Sequence, residues 1–206
     1  MSRLPAAGAT APAFSLADRA GGQLDVSDVP VAGTLLFFFK HDCDTCDLTA
    51  PLLVRLHEAL APNGVRFVGV SQDDPGHTTV FVDRHQLPFP VALDADLHVS
   101  DDYGFDAVPA LVLMGPGREV LASYEGFARA DLAGLIEQAA AQCGAAVPPI
   151  VTDGDDLPEM RPGCGSKAHD PDAAQRLAVR RGAAVLGARR VRVPVDDDPF
   201  EFLAAQ

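Results

Sequence analysis

The stretch FFFKHDCDTCDLTAP, residues 37–51, joins the end of an apolar run to two cysteines in a Cys-x-x-Cys spacing. The apolar run, residues 34–39, has the length and continuity of a strand that is buried on both faces. From residue 43 to about residue 60, leucines recur at spacings of three and four, which predicts a helix with one apolar face. The sequence therefore places Cys43 where a buried strand ends and a helix begins.

A cysteine at the start of a helix is in a position that favours its thiolate form. The backbone N–H groups of the first turn are unpaired there, and the helix dipole is positive at this end. The thiolate is the nucleophile in disulfide exchange. We therefore expect Cys43 to be the attacking thiol and Cys46, one turn further on, to be the resolving thiol.

Charged residues surround the two cysteines and act in opposite directions on the thiol pKa. Lys40 and His41 would lower it, whereas three acidic residues, Asp42, Asp44 and Asp47, would raise it. The sequence leaves the sign of the net shift open. The acidic residues are expected to favour basic or neutral partners over acidic ones.

Composition excludes several classes of function. The chain has 206 residues, a formal net charge of −13 and four cysteines, too few for a disulfide scaffold at this length. The charge argues against nucleic acid and against an anionic membrane surface as partners. No segment approaches the roughly 20 apolar residues of a membrane span, and the N-terminus shows no signal-peptide pattern. We expect a cytoplasmic location.

Strands and helices alternate up to about residue 144, which predicts a layered α/β domain over residues 1–144. The chain begins with a hairpin whose two strands lie within residues 12–26. After the cysteine motif, strands are predicted at residues 65–71, 89–94, 110–114 and 119–124, and helices at residues 77–85, 97–104 and 128–142.

The composition changes after residue 144. Residues 144–172 are rich in Pro, Gly and Asp and read as a linker or an extended tail. A helix is predicted over residues 172–187, followed by a short strand at 189–195 and the start of a helix at 196–206. We assign residues 145–206 as a Pro/Gly-rich linker and a C-terminal extension of unknown role.

The order of strand, CDTC and helix, with Pro51 five residues after the second cysteine, resembles the thioredoxin superfamily. Residues 103–120, YGFDAVPALVLMGPGREV, are similar to the segment around that superfamily's cis-proline. The N-terminal hairpin and residues 68–94 resemble the TlpA-like and peroxiredoxin-related (AhpC/TSA-type) branches. The resemblance covers about residues 8–142. It implies a thioredoxin-like three-layer α/β/α sandwich in which Pro109 follows a cis peptide bond, faces Cys43 and Cys46 and shapes the substrate groove.

The sequence departs from the thioredoxin pattern at several positions. Asp42 replaces the usual Trp, the usual Gly-Pro between the cysteines is Asp44–Thr45, and Phe37 stands where a buried acid is expected. For a peroxiredoxin site, Pro-x-x-x-Thr-x-x-Cys, Lys40 stands in place of the proline and Asp47 in place of the reactive cysteine. A peroxiredoxin-like thiol peroxidase is therefore the second enzymatic alternative.

The other two cysteines lie far apart in the sequence. Cys143 ends the last helix of the predicted domain and reads as an incidental thiol. Cys164 lies between glycines and near cations, which allow close backbone approach and favour a thiolate. It is either a chance cysteine in a flexible tail, or the partner of Cys143 in a disulfide, or an accessory thiol that the tail brings to Cys43 and Cys46.

The predicted function is thiol–disulfide exchange through Cys43 and Cys46, with Pro109 shaping the substrate groove and Lys40, His41 and Cys164 as possible accessory groups. The substrate would be a protein or small-thiol disulfide, with electrons from an external reductant. The sequence contains no nucleotide-binding motif, and no cofactor is indicated. A non-enzymatic alternative is a carrier of a soft metal such as mercury or copper(I), bound by Cys43, Cys46 and Cys164.

Overall fold

A computed structural model of the chain describes residues 3–152 and 154–188, with side chains up to residue 182. The short strand predicted at residues 189–195 and the helix start predicted at 196–206 lie outside the described residues. Among the residues that are described, no helix combines the length and the apolarity that a membrane crossing requires.

The predicted strands and helices occur in the predicted order, with boundaries that shift by a few residues. Within the described residues, the structure adds four strands of two residues each that the sequence did not predict, two of them within the segment predicted as a linker. The strands are β1 Ser15–Ala17, β2 Gln23–Asp25, β3 Thr34–Phe39, β4 Arg66–Ser71, β5 Val91–Leu93, β6 Ala107–Val108, β7 Ala110–Met114, β8 Val120–Glu125, β9 Phe127–Ala128, β10 Met160–Arg161 and β11 Cys164–Gly165. The helices are α1 Asp44–Leu60, α2 Pro75–His85, α3 His98–Tyr103, α4 Arg129–Cys143 and α5 Pro171–Ala188.

The central sheet has the strand order β5-β4-β3-β7-β8. Strand β3 pairs in parallel with β4 and antiparallel with β7, so it lies in the middle with neighbours on both sides. All six of its residues are buried. This confirms the prediction of a strand that is buried on both faces, and it fixes the point from which the cysteine motif leaves the sheet.

Alternate phenylalanines of β3 face opposite layers. Phe37 and Phe39 stack on each other, and the ring of Phe39 stacks on Phe81 of α2 at 4.5 Å. On the other face, Phe38 packs against Tyr103 of α3 with ring centroids 4.9 Å apart. Because successive side chains of a strand point to opposite faces, these contacts place helices on both sides of the sheet. The predicted three-layer α/β/α arrangement is confirmed.

Helix α1 buries the leucine stripe that the sequence indicates. Leu52, Leu53, Leu56 and Leu60 are at most 2% exposed. Pro51 lies inside the helix, as the thioredoxin resemblance implies. Burial of several leucines on one face holds the helix against the sheet, and this packing sets the position of its N-terminus.

The chain after residue 144 packs along the domain as far as it is described. Ile150 is buried in the main hydrophobic core. The Arg55 guanidinium of α1 binds the Asp155 carboxylate through two hydrogen bonds of 2.8 and 2.9 Å. Within its described part, this segment is therefore attached to the domain along its length. The division of the chain at residue 144 stays a prediction.

Helix α5 agrees with the helix predicted at residues 172–187. Its Leu177 packs with Leu97, Ala168 and Ala173 in a small apolar cluster that is separate from the main core. Arg180 adds a paired contact to the Asp102 carboxylate, at 2.8 and 2.9 Å. These contacts hold the extension against the α3 region of the domain.

Two glycines predict opposite effects of an added methyl group on stability. A Cβ at buried Gly69 in β4 would lie 2.9 Å from Val91 Cγ2 and 3.2 Å from the Phe39 ring, whereas a Cβ at Gly134 in α4 meets nothing within 4 Å. We expect Gly69→Ala to lower the free energy of unfolding by about 1–3 kcal/mol through overpacking. Gly134→Ala should raise it by about 0.5–1 kcal/mol because alanine restricts the unfolded chain.

Urea unfolding of the two variants beside the wild-type protein measures both effects. If Gly69→Ala is as stable as Gly134→Ala, the close packing of Gly69 against Val91 and Phe39 is contradicted.

Candidate active site

Cys43 lies directly before α1 and is its N-cap residue. Its backbone is extended, with φ −122° and ψ 104°, and its sulfur accepts a hydrogen bond from the Cys46 backbone N–H at 3.3 Å. The Cys43 carbonyl accepts a hydrogen bond from the Asp47 N–H at 2.9 Å. The Cys43 sulfur therefore faces the positive end of the helix, where an anion is stabilised.

The two cysteines of the motif have thiol pKa values that are shifted in opposite directions. The Cys46 thiol, as a hydrogen-bond donor, and secondarily the thiol of Cys164 lower the pKa of Cys43 to about 6, against the opposing effect of burial. Burial raises the pKa of Cys46 well above its usual value, and the neighbouring Cys43 raises it further. At neutral pH, Cys43 is therefore the thiolate and Cys46 the protonated thiol.

The Val108–Pro109 segment lies against Cys43. The Cys43 sulfur lies 3.4 Å from the Val108 carbonyl oxygen, to which it donates a hydrogen bond in its protonated form. The Pro109 carbonyl accepts a hydrogen bond of 2.8 Å from the Gly126 N–H. The Val108–Pro109 peptide bond is cis, which confirms the expectation from the thioredoxin resemblance. The proposed role of Pro109 in shaping a substrate groove stays a prediction.

Each acidic residue of the motif has a cationic partner. The Asp42 carboxylate lies 3.7 Å from the Lys40 ammonium, and Asp44 lies 2.9 Å from the Arg161 guanidinium. Asp47 accepts hydrogen bonds from the side chains at the end of α2, namely His85 at 2.6 Å and Arg84 at 3.0 Å. Pairing offsets the negative charge beside the thiols, and the pKa of Cys43 falls because of other thiols rather than because of Lys40 or His41.

The imidazole of His41 is engaged with residues after β4. Its Nδ1 atom lies 3.1 Å from the Asp73 carboxylate, and its backbone N–H donates to the same carboxylate at 2.6 Å. The ring stacks on His77 with centroids 4.2 Å apart. Lys40 acts on the site through its backbone N–H, which opposes the effect of burial on the pKa of Cys46. The accessory roles of Lys40 and His41 stay predictions.

Of the two remaining cysteines, the structure brings Cys164 to the motif. Strand β11 pairs antiparallel with β6, and this pairing sets Cys164 opposite Val108. Burial raises the pKa of the Cys164 thiol, and hydrogen bonding to Cys43 raises it further. Cys143 instead donates a hydrogen bond to the Ala140 carbonyl in its own helix. All four cysteines are free, so the disulfide between Cys143 and Cys164 is not formed.

Residues 159–169, here called the strap, cross the site and are held by side chains that the sequence did not indicate. The Thr45 hydroxyl donates a hydrogen bond of 2.8 Å to the Pro162 carbonyl. Gln72 donates one of 2.8 Å to the Ser166 hydroxyl, and the buried Asp73 carboxylate binds the Lys167 ammonium. The signals available in the sequence were the glycines around Cys164, which permit close backbone approach, and the cations near it.

The described residues contain no group of three or more His, Cys, Asp or Glu side chains placed to hold a metal ion. The three cysteines near the motif thus do not form a ready-made ligand set in this arrangement. The soft-metal alternative has no support from the geometry.

Comparison with known proteins places the chain in a family. The family model described as the AhpC/TSA family matches residues 7–123, more than half of the sequence. The chain belongs to the AhpC/TSA family. The matched residues of this AhpC/TSA protein include the Cys-x-x-Cys motif and Pro109, whereas Cys164 and the strap lie beyond them.

Curated relatives of this AhpC/TSA protein carry the name thiol-disulfide oxidoreductase ResA. The protein from Halalkalibacterium halodurans is 30% identical over 124 residues, which are 60% of this chain and 70% of the relative. The protein from Bacillus subtilis is 29% identical over 115 residues, which are 55% of this chain and 64% of the relative.

Solved structures show the same fold. A putative thiol:disulfide interchange protein DsbE from Chlorobium tepidum matches with a TM-score of 0.63 and 26% identity, covering 68% of this chain and 99% of that one. The peroxidoxin BcpB from Mycobacterium tuberculosis matches with a TM-score of 0.55 and 20% identity, covering 68% of this chain and 97% of that one. At 20% identity, the likeness to the peroxidoxin supports the fold and nothing further. The thioredoxin-like fold expected from the sequence is confirmed.

The thiol pKa values predict a separate first step in a pH titration. In a Cys143→Ser background, thiolate absorbance should show one thiol ionising near pH 6, and this step should be absent from Cys43→Ser. Replacing Cys46 by Ala removes the hydrogen bond with the largest effect and should move the step upward in pH. Replacing Cys164 by Ala should move it upward by less. If the step remains near pH 6 in Cys43→Ser, it belongs to another thiol.

Proposed function

We propose that this protein is a thiol–disulfide oxidoreductase in which Cys43 attacks and Cys46 resolves. The observation that carries the proposal is the Cys43 sulfur at the N-terminus of α1, with a pKa lowered to about 6 and the Cys46 backbone N–H at 3.3 Å. The curated relatives of the matched segment carry the same activity in their names.

The steps of the reaction follow from the two pKa shifts. The Cys43 thiolate attacks one sulfur of a substrate disulfide and forms a mixed disulfide, releasing the other substrate sulfur as a thiolate. Cys46 loses its proton and attacks the Cys43 sulfur, which forms the Cys43–Cys46 disulfide and releases the second substrate thiol. Two electrons pass to the substrate in each cycle. Burial keeps Cys46 protonated until the mixed disulfide has formed and Cys43 no longer carries a charge.

The partners of the reaction are a protein or small-thiol disulfide and an external reductant that restores the dithiol. The net charge of −13 favours substrates that are neutral or basic around the disulfide. A cytoplasmic location, expected from the N-terminal sequence, stays a prediction, and so does the absence of nucleic-acid or membrane partners.

Thiol peroxidase activity is a weaker alternative. In the comparison with the peroxiredoxin pattern, Asp47 stands in place of the reactive cysteine, and its carboxylate is paired with Arg84 and His85. The likeness to the peroxidoxin structure, at 20% identity, supports the fold and no reaction.

Equilibration in graded thiol/disulfide buffers tests the proposed function. After alkylation of the remaining free thiols, intact mass should show Cys43 and Cys46 oxidised together as one two-electron pair. Cys43→Ser should abolish turnover of a model disulfide. With Cys164 also replaced by Ser, Cys46→Ser should accumulate the mixed disulfide on Cys43, because no second thiol remains beside it to resolve that disulfide.

Cys143→Ser serves as the matched control and should behave as the wild-type protein. Metal content measured on the same sample separates exchange from metal carriage. Thiols that resist oxidation and carry stoichiometric metal would overturn the proposal.

A further inference from the structure

Solvent does not reach Cys43, the thiol whose pKa is lowered. Cys43 and Cys46 are both 0% exposed, whereas Cys164 is only partly buried. An external disulfide must be approached in line by the attacking sulfur, so a fully covered Cys43 cannot react with it directly while the strap stays in place. Of the three cysteines of the site, Cys164 is the one that is partly exposed.

The strap fills the place beside Cys43 with its own backbone. Cys164 and Gly165 pair with Val108 and Ala107, the residues that lead into Pro109. Gly163 approaches so closely that a Cβ there would lie 2.7 Å from the Val108 carbonyl oxygen. A substrate backbone therefore cannot pair with Val108 in this arrangement.

The two sulfurs are close enough to influence each other. Both the thiol and the backbone N–H of Cys164 lower the pKa of Cys43, after the larger effect of the Cys46 thiol. The Thr45 backbone N–H in turn lowers the pKa of Cys164, against the larger opposing effect of burial. Cys43 thus lies between two possible disulfide partners, Cys46 on its helix and Cys164 on the strap.

Contacts on both sides of Cys164 hold it at this position. On the N-terminal side, Arg161 forms an ion pair with Asp44 at 2.9 Å, and the Pro162 carbonyl binds Thr45. On the C-terminal side, Ser166 binds Gln72, and Lys167 binds the buried Asp73 carboxylate. Holding a free tail in one position costs conformational entropy. These contacts offset that cost.

We propose that Cys164 is a third exchange thiol, which carries electrons between external disulfides and the covered Cys43–Cys46 pair. This inference rests on the proposed function, since it adds a step to the same reaction. It also gives the strap a role: the strap presents to solvent the one sulfur that a substrate can reach.

The relay balances as three thiol–disulfide exchanges. Cys164 passes its proton to the Cys43 thiolate, attacks a substrate disulfide as its own thiolate and releases the first substrate thiolate, which takes up that proton from Cys43. Cys43 then attacks the Cys164 sulfur, which forms a Cys43–Cys164 disulfide and releases the second substrate thiolate. Cys46 attacks the Cys43 sulfur, which forms the Cys43–Cys46 disulfide and returns Cys164 as a thiol. The substrate gains two electrons from the Cys43–Cys46 pair, one proton that this pair held and one proton from water, and the external reductant restores the pair.

The first test compares Cys164→Ser with Cys164→Ala, using oxidised glutathione and a model protein disulfide. Serine keeps a hydrogen-bond donor beside Cys43 but cannot exchange, so the relay predicts that both variants lose activity, by roughly a hundredfold in kcat/KM. Cys143→Ser is the matched control, and circular dichroism checks that the variants are folded.

If Cys164→Ser turns over both substrates as fast as the wild-type protein, the relay is overturned and the proposed function stays intact. The same holds if only Cys164→Ala loses activity, because Cys164 would then act through its hydrogen bond. A wild-type protein that reduces neither substrate overturns both proposals.

A second measurement does not depend on turnover. Full-length Cys46→Ser, oxidised by one equivalent of a model disulfide, should form a Cys43–Cys164 disulfide that peptide mapping identifies. Gly163→Ala should slow its formation because the added methyl group pushes the strap away from Val108, whereas Gly165→Ala, whose Cβ meets nothing within 4 Å, should not. A faster reaction of Gly163→Ala with external disulfides would show that the strap is only a cover, and would overturn the relay.

Discussion

The hydrogen bond from the Cys46 backbone N–H to the Cys43 sulfur is the interaction on which the rest of the site depends. It exists because β3, the central strand of the sheet, ends at Phe39, and because the buried leucines of α1 fix where the helix starts. The same geometry makes the Cys43 sulfur both the cap of a helix and the acceptor for the neighbouring thiols. One atom therefore satisfies a structural need and carries the negative charge that exchange chemistry requires.

The sequence predicts the parts of the fold that arise from local periodicity. The continuous apolar run of β3 and the leucine spacing of α1 identify the strand and the helix around the motif, and the resemblance around Pro109 identifies the loop that faces it. The position of the strap is different, because it is set by single contacts over large separations, such as Thr45 with Pro162, 117 residues apart. Such contacts leave no periodic pattern in a sequence.

The charges around the site also divide into those that lie near the motif in sequence and those that only the fold brings to it. Around the motif, the sequence shows three acidic residues against Lys40 and His41 and leaves the pKa shift of Cys43 open. The structure brings cations from α2 and from the strap to the acidic residues. The pKa of Cys43 is lowered mainly by the neighbouring thiols rather than by charged residues. One of these sulfurs, Cys164, is 121 residues away in sequence, so charge counting within the motif could not have included it.

The small cluster of Leu97, Ala168, Ala173 and Leu177 attaches the extension to the α3 region through a few apolar contacts that are separate from the main core. Regions with few buried apolar contacts open at lower free energy than the domain as a whole, as cooperative local units. The exchange of backbone amides in the strap would then report how often Cys43 becomes accessible. Mutations in α5 would alter the reactivity of the dithiol by changing the stability of that unit, without changing a residue of the site itself.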